Sequence, residues 1–439
     1  MNTNSKIFFW SLVTSLGGFL FGFDTAVISG AEQAIQKLWG LSDAMTGVML
    51  GTALYGTILG ALLGGIPTEI LGRKTTLFWI GVLYLISAVG SAMAPDVNSL
   101  MFFRFIGGIG VGASSVAAPV YISEIAPTER RGRLTALFQF NLVLGILIAY
   151  VSNVLIGNEG AESWRTMLGV EAVPALLFVI LILFVPKSPR WLALKKGDQE
   201  GAKAILDIIN PGQSDEALRE ILDAPEPQAK GLSYFFSGKF NGVILLAFLF
   251  AFFNQASGIN AIIYYAPRVF ESAGLGASTA LLSSAGVGIV NLIFTMLGLY
   301  LIDRAGRKTL MYIGSLGYIF ALIFMSMAFF FSWEGMLVPI FTFAFIASHA
   351  VGQGAVIWVF ISEIFPNEVR GWGMSLGSGT HWVFAALIAS IFPYFEGILG
   401  GGPIFAFFAI MMVGQLFYVW KMMPETKGVS LEELEKELT

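Results

Sequence analysis

Long apolar stretches, separated by short charged ones, set the pattern of this chain from residue 7 to residue 423. A helix needs about 20 apolar residues to cross the hydrocarbon of a bilayer. Stretches of that kind cover 7–31, 44–70, 75–94, 98–125, 132–156 and 164–186, then 240–271, 277–302, 308–331, 335–364, 371–395 and 401–423. Between the sixth and the seventh lies 187–239, where Lys195, Lys196, Asp198, Asp215, Glu216, Arg219, Pro225, Pro227 and Lys230 make the segment too polar to span. Backbone groups inside a bilayer must pair within their own segment, and without a strand pattern that means helices. The pattern predicts an all-α membrane protein with 12 transmembrane helices. They form a six-helix bundle (1–186), a cytoplasmic helical linker (187–239), a second six-helix bundle (240–424) and a C-terminal segment (425–439). In that segment LEELEKEL, 431–438, reads as a short amphipathic helix.

One charged sentence is written twice. Residues 121–132 read YISEIAPTERRG and residues 360–371 read FISEIFPNEVRG. Glu124 precedes Arg131 by seven residues, and Glu363 precedes Arg370 by seven. Gly72-Arg73-Lys74 likewise recurs as Gly306-Arg307-Lys308. Two cassettes in one order, about half a chain apart, indicate a duplicated unit. Basic residues mark the loops after spans 2, 4, 6, 8 and 10, whereas the alternate loops hold only Lys37, Arg165 and Arg268. That bias predicts cytoplasmic termini. Six spans per unit is an even number, so the two repeats enter from the same side.

Composition agrees and narrows the function. The chain is 56% hydrophobic and 12% charged, against about 25% charged in soluble chains. Lys6 stands alone before a span longer than a signal-peptide core, with no small-residue cleavage site, so the reading keeps it as span 1. There is no cysteine, which excludes disulfides and thiolate chemistry. No metal, nucleotide or nucleophile constellation is present, so no cofactor, nucleic acid or ATP partner is expected and an enzyme is not. Gly107 to Gly112 resembles a phosphate loop but lies inside a span. With Gly56, Gly60 and Gly64 it reads as close helix packing.

Asp24 lies in span 1 between Phe23 and Val27, and Arg104 lies in span 4. An ionised carboxylate there is costly unless paired. The pair is either a structural brace between two helices or a proton site. A carboxylate that gains and loses its arginine partner between conformations would bind and release a proton. At one membrane face, Arg73, Glu124, Arg131, Asp303, Arg307, Glu363 and Arg370 are expected to form a cytoplasmic gate joining the two halves. Positive-inside charge explains the arginines but not the repeated glutamates.

Parallel six-span repeats with a cytoplasmic linker are the plan of the major facilitator fold. GFDTAVISGA (22–31), GRK twice, PKSPRWL (186–192), NQASGINAIIYYAP (254–267), DRAGRK (303–308) and PETKGVSLEELE (424–435) extend the likeness over nearly the whole chain. The sequence resembles the sugar porter family, which holds proton–sugar symporters and facilitative sugar transporters. The resemblance implies a proton-coupled monosaccharide symporter of the inner membrane, working as a monomer. Its proton-coupled members carry the acid at Asp24. The rivals are a facilitative uniporter of the same fold and a sugar sensor. The resemblance also implies a substrate site of Phe21, Gln139, Asn254, Gln255, Asn260, Tyr264, Asn291, Gly354, Trp358, His381 and Trp382. Amides both donate and accept to hydroxyls, and aromatic rings cover the C–H faces of a sugar. Asn254 stands where many members have Gln, and His381 stands where an amide is usual; His381 then either contacts sugar or braces Trp382. His349 reads as a packed core residue. Glu69, Ile70 and Lys187 depart from the charged motifs, and the stretch 352–358 lacks the prolines common in relatives.

Overall fold

The structure is a computed structural model that describes residues 3–127, 130–157, 160–223, 231–333, 335–429 and 431–438. Pro225, Pro227 and Lys230 of the linker lie outside the described residues, as do Thr128 and Glu129 of the first cassette. Every regular element among the described residues is a helix. Among the described residues twelve spans are long and apolar enough to cross a membrane. Spans 1 to 6 are Asn4–Trp39, Asp43–Leu63, Arg73–Ala92, Val97–Ile125, Arg131–Ile156 and Ser163–Phe184. Spans 7 to 12 are Asn241–Ser272, Ala277–Ala305, Arg307–Phe330, Leu337–Ile364, Arg370–Leu399 and Gly401–Lys421. Span 1 outruns its apolar stretch by two turns, because Glu32 and Gln36 find polar partners described below.

The chain packs as two compact units. One holds Met1–Val27, Thr52–Ala149 and Arg165–Glu226, and the other Ile28–Gly51, Tyr150–Trp164 and Pro227–Thr439. The division follows the two repeats except at residues 28–51 and 150–164, which pack with the second.

The first unit closes around Leu20, Tyr84, Val111, Tyr121 and Phe178, all buried. Spans 2 and 4 approach so closely that side chains are excluded. A methyl group on Gly108 would lie 1.8 Å from the Ala53 carbonyl oxygen, and one on Gly112 would lie 2.2 Å from that of Thr57. Gly56 and Gly60 meet the Phe105 and Ile109 carbonyls at 2.2 Å in the same way. Small residues at this spacing let backbones touch where lipid supplies no hydrophobic drive. Gly108→Val is expected to cost more than about 4 kcal/mol, read as loss of folded protein recovered in detergent. Gly65→Val meets open space and should be recovered like the parent. Equal recovery of both variants would contradict the packing argument.

The linker forms helices Gln199–Ile209 and Ser214–Asp223, whose apolar faces meet Trp191, Leu192 and Ala193. Trp191 is held by a hydrogen bond from its Nε1 to the Glu69 carbonyl, 2.9 Å. Lys203 and Asp215 lie 2.6 Å apart; that contact pulls the Asp215 carboxyl below its ordinary range and raises the Lys203 ammonium.

In the second unit two prolines stand inside helices, and two tyrosines satisfy the carbonyls they free. Pro267 has no N–H for the Ile263 carbonyl, and Tyr265 beside it is non-helical (φ −126°, ψ 18°). The Tyr150 hydroxyl donates to that free carbonyl at 2.7 Å. Pro393 frees the Ala389 carbonyl, and the Tyr265 hydroxyl donates there at 2.7 Å. Span 7 breaks once more at Gly258, whose φ of +85° suits glycine. Span 10 breaks without a proline. Helix Leu337–Val351 ends at Gly352 (φ −84°, ψ −101°) and Gln353–Ile364 begins. Gln353 then hydrogen-bonds Gln415, which donates to Ser315 at 2.8 Å.

Candidate functional site

Asp24 and Arg104 meet inside the first unit. The Arg104 Nη1 donates to Asp24 Oδ1 at 2.5 Å, and Nη2 donates to the Asp24 carbonyl at 3.1 Å. The residues are 1% and 2% exposed. The glycines of span 4 make room for them: a methyl on Gly107 would lie 2.4 Å from Ser87 Oγ and 3.6 Å from Asp24 Oδ1. A third charged group, unforeseen in the sequence reading, joins the pair. Glu171 of span 6 is 2% exposed and interacts with both Asp24 and Arg104. Arg104 Nε makes no hydrogen bond to any described residue, and the Tyr84 hydroxyl lies near the two carboxylates. The signal for Glu171 was present: it is the one carboxylate between residues 164 and 186, and the rule that picked Asp24 applies to it.

The second unit gathers most of the expected substrate residues. Gln255 Nε2 donates to Asn254 Oδ1 at 2.9 Å, and Asn260 Nδ2 donates to Gln255 Oε1 at 2.8 Å. The same Gln255 nitrogen lies 3.3 and 3.2 Å from the two ring nitrogens of His381. His381 packs between Trp358 and Trp382, with ring centroids at 5.1 and 4.7 Å. The Gly258 break puts Asn254 and Gln255 at the end of one helix and Asn260 at the start of the next, so three amides converge. Asn291 accepts from Thr295 Oγ1 at 3.3 Å, Tyr264 is fully buried, and Gly354 opens the second helix of span 10. Phe21 and Gln139 lie in the first unit, both half-buried.

The repeated cassettes fold alike. Arg73 pairs with Glu124 at 2.9 Å and with Glu69 at 2.7 Å, and donates to the Thr68 carbonyl at 3.1 Å. Arg307 pairs with Glu363 at 2.8 Å and with Asp303 at 3.2 Å, and donates to the Ile302 carbonyl at 3.1 Å. Gly72 and Gly306, with φ of +89° and +91°, turn the chain before each arginine. Each glutamate thus takes its arginine from the GRK motif of its own repeat. Arg370 donates from Nε to the Phe365 carbonyl at 3.3 Å, and Arg131 is exposed. The C-terminal PETKG adds a clamp: Glu425 accepts from the backbone N–H of Arg307 and of Lys308 at 2.9 and 3.0 Å, and Thr426 donates to Glu363 at 2.6 Å.

Arg268 is not a loop charge, as the sequence pattern had it. It lies in the second helix of span 7 and is bound bidentately by Glu32, with Nε–Oε1 at 2.8 Å and Nη2–Oε2 at 2.7 Å. Gln36 accepts from Nη2 at 2.5 Å, and Asp43 and Glu396 lie 3.8 Å from Nη1. Glu32 is wholly buried. The apolar window at 7–31 stops one residue short of Glu32, and Arg268 was counted with the loops although the window 240–271 contains it, which hid the pair.

Comparison with known proteins places this geometry. The family described as "Sugar (and other) transporter" matches residues 10–438. The chain is 36% identical to the D-xylose-proton symporter of Escherichia coli strain K12, over 99% of this chain and 97% of that one. It is 35% identical to the arabinose-proton symporter of Bacillus subtilis strain 168, over 97% and 94%. Among solved structures, the inward-open xylose transporter XylE from E. coli aligns with a TM-score of 0.87 at 34% identity, covering 99% of this chain and 100% of that one. The same symporter bound to 6-bromo-6-deoxy-D-glucose aligns at 0.82 and 35% identity, covering all of both chains. The chain therefore belongs to the sugar transporter family of the major facilitator superfamily.

Proposed function

We propose that this protein carries a monosaccharide together with a proton, by alternating access to one site. The observation that carries the coupling is the Asp24–Arg104–Glu171 cluster. One guanidinium faces two carboxylates in a dry interior. If both carboxylates are ionised, a net charge is buried, and a charge without a partner there is costly. One proton held between the two acids removes it, and that proton belongs to the pair rather than to either residue. The symporters of xylose and arabinose among the relatives support the same reading.

Sugar specificity resides in the amide cluster around Gln255 with Trp358 and His381, and Phe21 and Gln139 are further sugar contacts. The two cassettes serve as the cytoplasmic gate. The basic loops support cytoplasmic termini, the bacterial relatives support the inner membrane, and the protein works as a monomer. Proteoliposomes with a trapped pH dye test the function. Adding D-xylose or D-glucose outside should acidify the lumen in step with sugar entry. Sugar entry with no proton movement would sink symport and leave facilitated diffusion.

A further inference from the structure

Both histidines of the chain lie in the second unit. His381 is part of the amide cluster, but His349 was set aside above as a core residue. It stands on the last turn of helix Leu337–Val351, three residues before the Gly352 break. The Tyr318 hydroxyl hydrogen-bonds its Nδ1. Tyr318 is itself fully buried, and its ring meets the imidazole edge-on at 6.1 Å. Ser257, at the break of span 7, faces the same hydroxyl. One edge of the imidazole is therefore held in place by the protein.

The other edge is turned toward the candidate site. A methyl on Gly354 would lie 3.3 Å from His349 Cδ2 and 3.4 Å from Nε2. Gly354 is one helical turn before Trp358 and on the same face, and His349, Gly354 and Trp358 are all half-buried rather than sealed. Nε2 makes no hydrogen bond to any described residue. The imidazole also interacts electrostatically with that of His381, which touches Gln255 and Trp358.

We infer that His349 is a specificity-determining residue of the sugar site, held by Tyr318 so that Nε2 meets one hydroxyl of the bound monosaccharide. The inference rests on the reading of Gln255, Trp358 and His381 as sugar contacts. A ring nitrogen donates or accepts according to its tautomer, and a hydroxyl satisfies either. An epimer with that hydroxyl turned away leaves Nε2 unpaired, which is how a built hydrogen bond rejects an analogue.

The test uses the full chain in proteoliposomes and a panel of labelled D-glucose, D-galactose, D-xylose and L-arabinose. The parent protein's preferred sugar and its next-best epimer give a discrimination ratio. In His349→Phe the preferred sugar should lose about ten- to hundredfold in apparent affinity, while the next-best sugar changes little, so the ratio collapses. His349→Gln keeps a hydrogen-bonding end and should restore much of the ratio. Tyr318→Phe frees the ring and should give an intermediate loss. Gln255→Ala serves as a control on the site itself. Lost binding in Gln255→Ala with an unchanged ratio in His349→Phe would overturn the role of His349 and keep the site. Unchanged binding in both would overturn the site reading as well. Where His349→Phe does not fold, an unchanged ratio in both His349→Gln and Tyr318→Phe overturns the inference.

Discussion

Asp24→Asn is expected to abolish accumulation of sugar against its gradient while leaving exchange down the gradient intact. Asparagine keeps the size and hydrogen bonding of aspartate but cannot take a proton. The fold should survive, because Glu171 remains as the counter-ion of Arg104. One proton moving down one pH unit supplies about 1.4 kcal/mol, enough for about a tenfold sugar gradient. With Asp24 gone, the Glu171 carboxylate and the Arg104 guanidinium balance each other, no proton is needed to neutralise the cluster, and that energy has no route to the sugar. The inside concentration of labelled sugar in energised vesicles should then rise only to the outside level, while counterflow exchange continues. Undiminished uphill accumulation by Asp24→Asn would make the pair a structural brace. Arg104→Ala is the contrasting variant: it leaves two buried carboxylates together and should be recovered poorly.

Arg268→Ala is expected to have the larger effect on stability. Glu32 is completely buried, and its carboxylate is bound on both oxygens by Arg268. Removing one partner of such a pair leaves an unpaired charge in the interior, at about 3–5 kcal/mol. The packing of residues 28–51 with span 7 should weaken by that amount, lowering the detergent unfolding temperature and slowing transport together. Glu32→Leu combined with Arg268→Met removes both charges and should recover most of the stability, since a hydrophobic replacement of a buried pair is often near neutral. Single and double variants of equal stability would show that the pair is solvated and carries little.

The repeats and the spans were legible because hydrocarbon admits so few solutions. A run of 20 apolar residues has one stable backbone form there, and a charge repeated in the same register needs a reason. Asp24 and Arg104 stood out for the same cause, and the structure brings them to 2.5 Å. Glu171 was equally visible and was passed over. The partner of each cassette glutamate was not visible, because Glu124 and Arg73 are far apart in sequence and meet only through the contact of spans 3 and 4. Arg268 was misread for a related reason. A hydropathy window counts a charge against a span, and it cannot know that Glu32 waits 236 residues away to neutralise it. The break of span 10 also escaped the reading, which looked for proline where Gly352 bends the chain.

Membrane class, span number and duplication were settled by the sequence, since each follows from local apolar length or a repeated motif. Which residues touch was settled by tertiary structure. The amides of Gln255 and Asn260 converge because Gly258 turns the helix between them. The carbonyls freed by Pro267 and Pro393 are satisfied because Tyr150 and Tyr265 arrive from elsewhere in the chain. His349 is placed beside Gly354 by a hydroxyl from span 9. These contacts are long in sequence and short in space, so only the packed chain decides them.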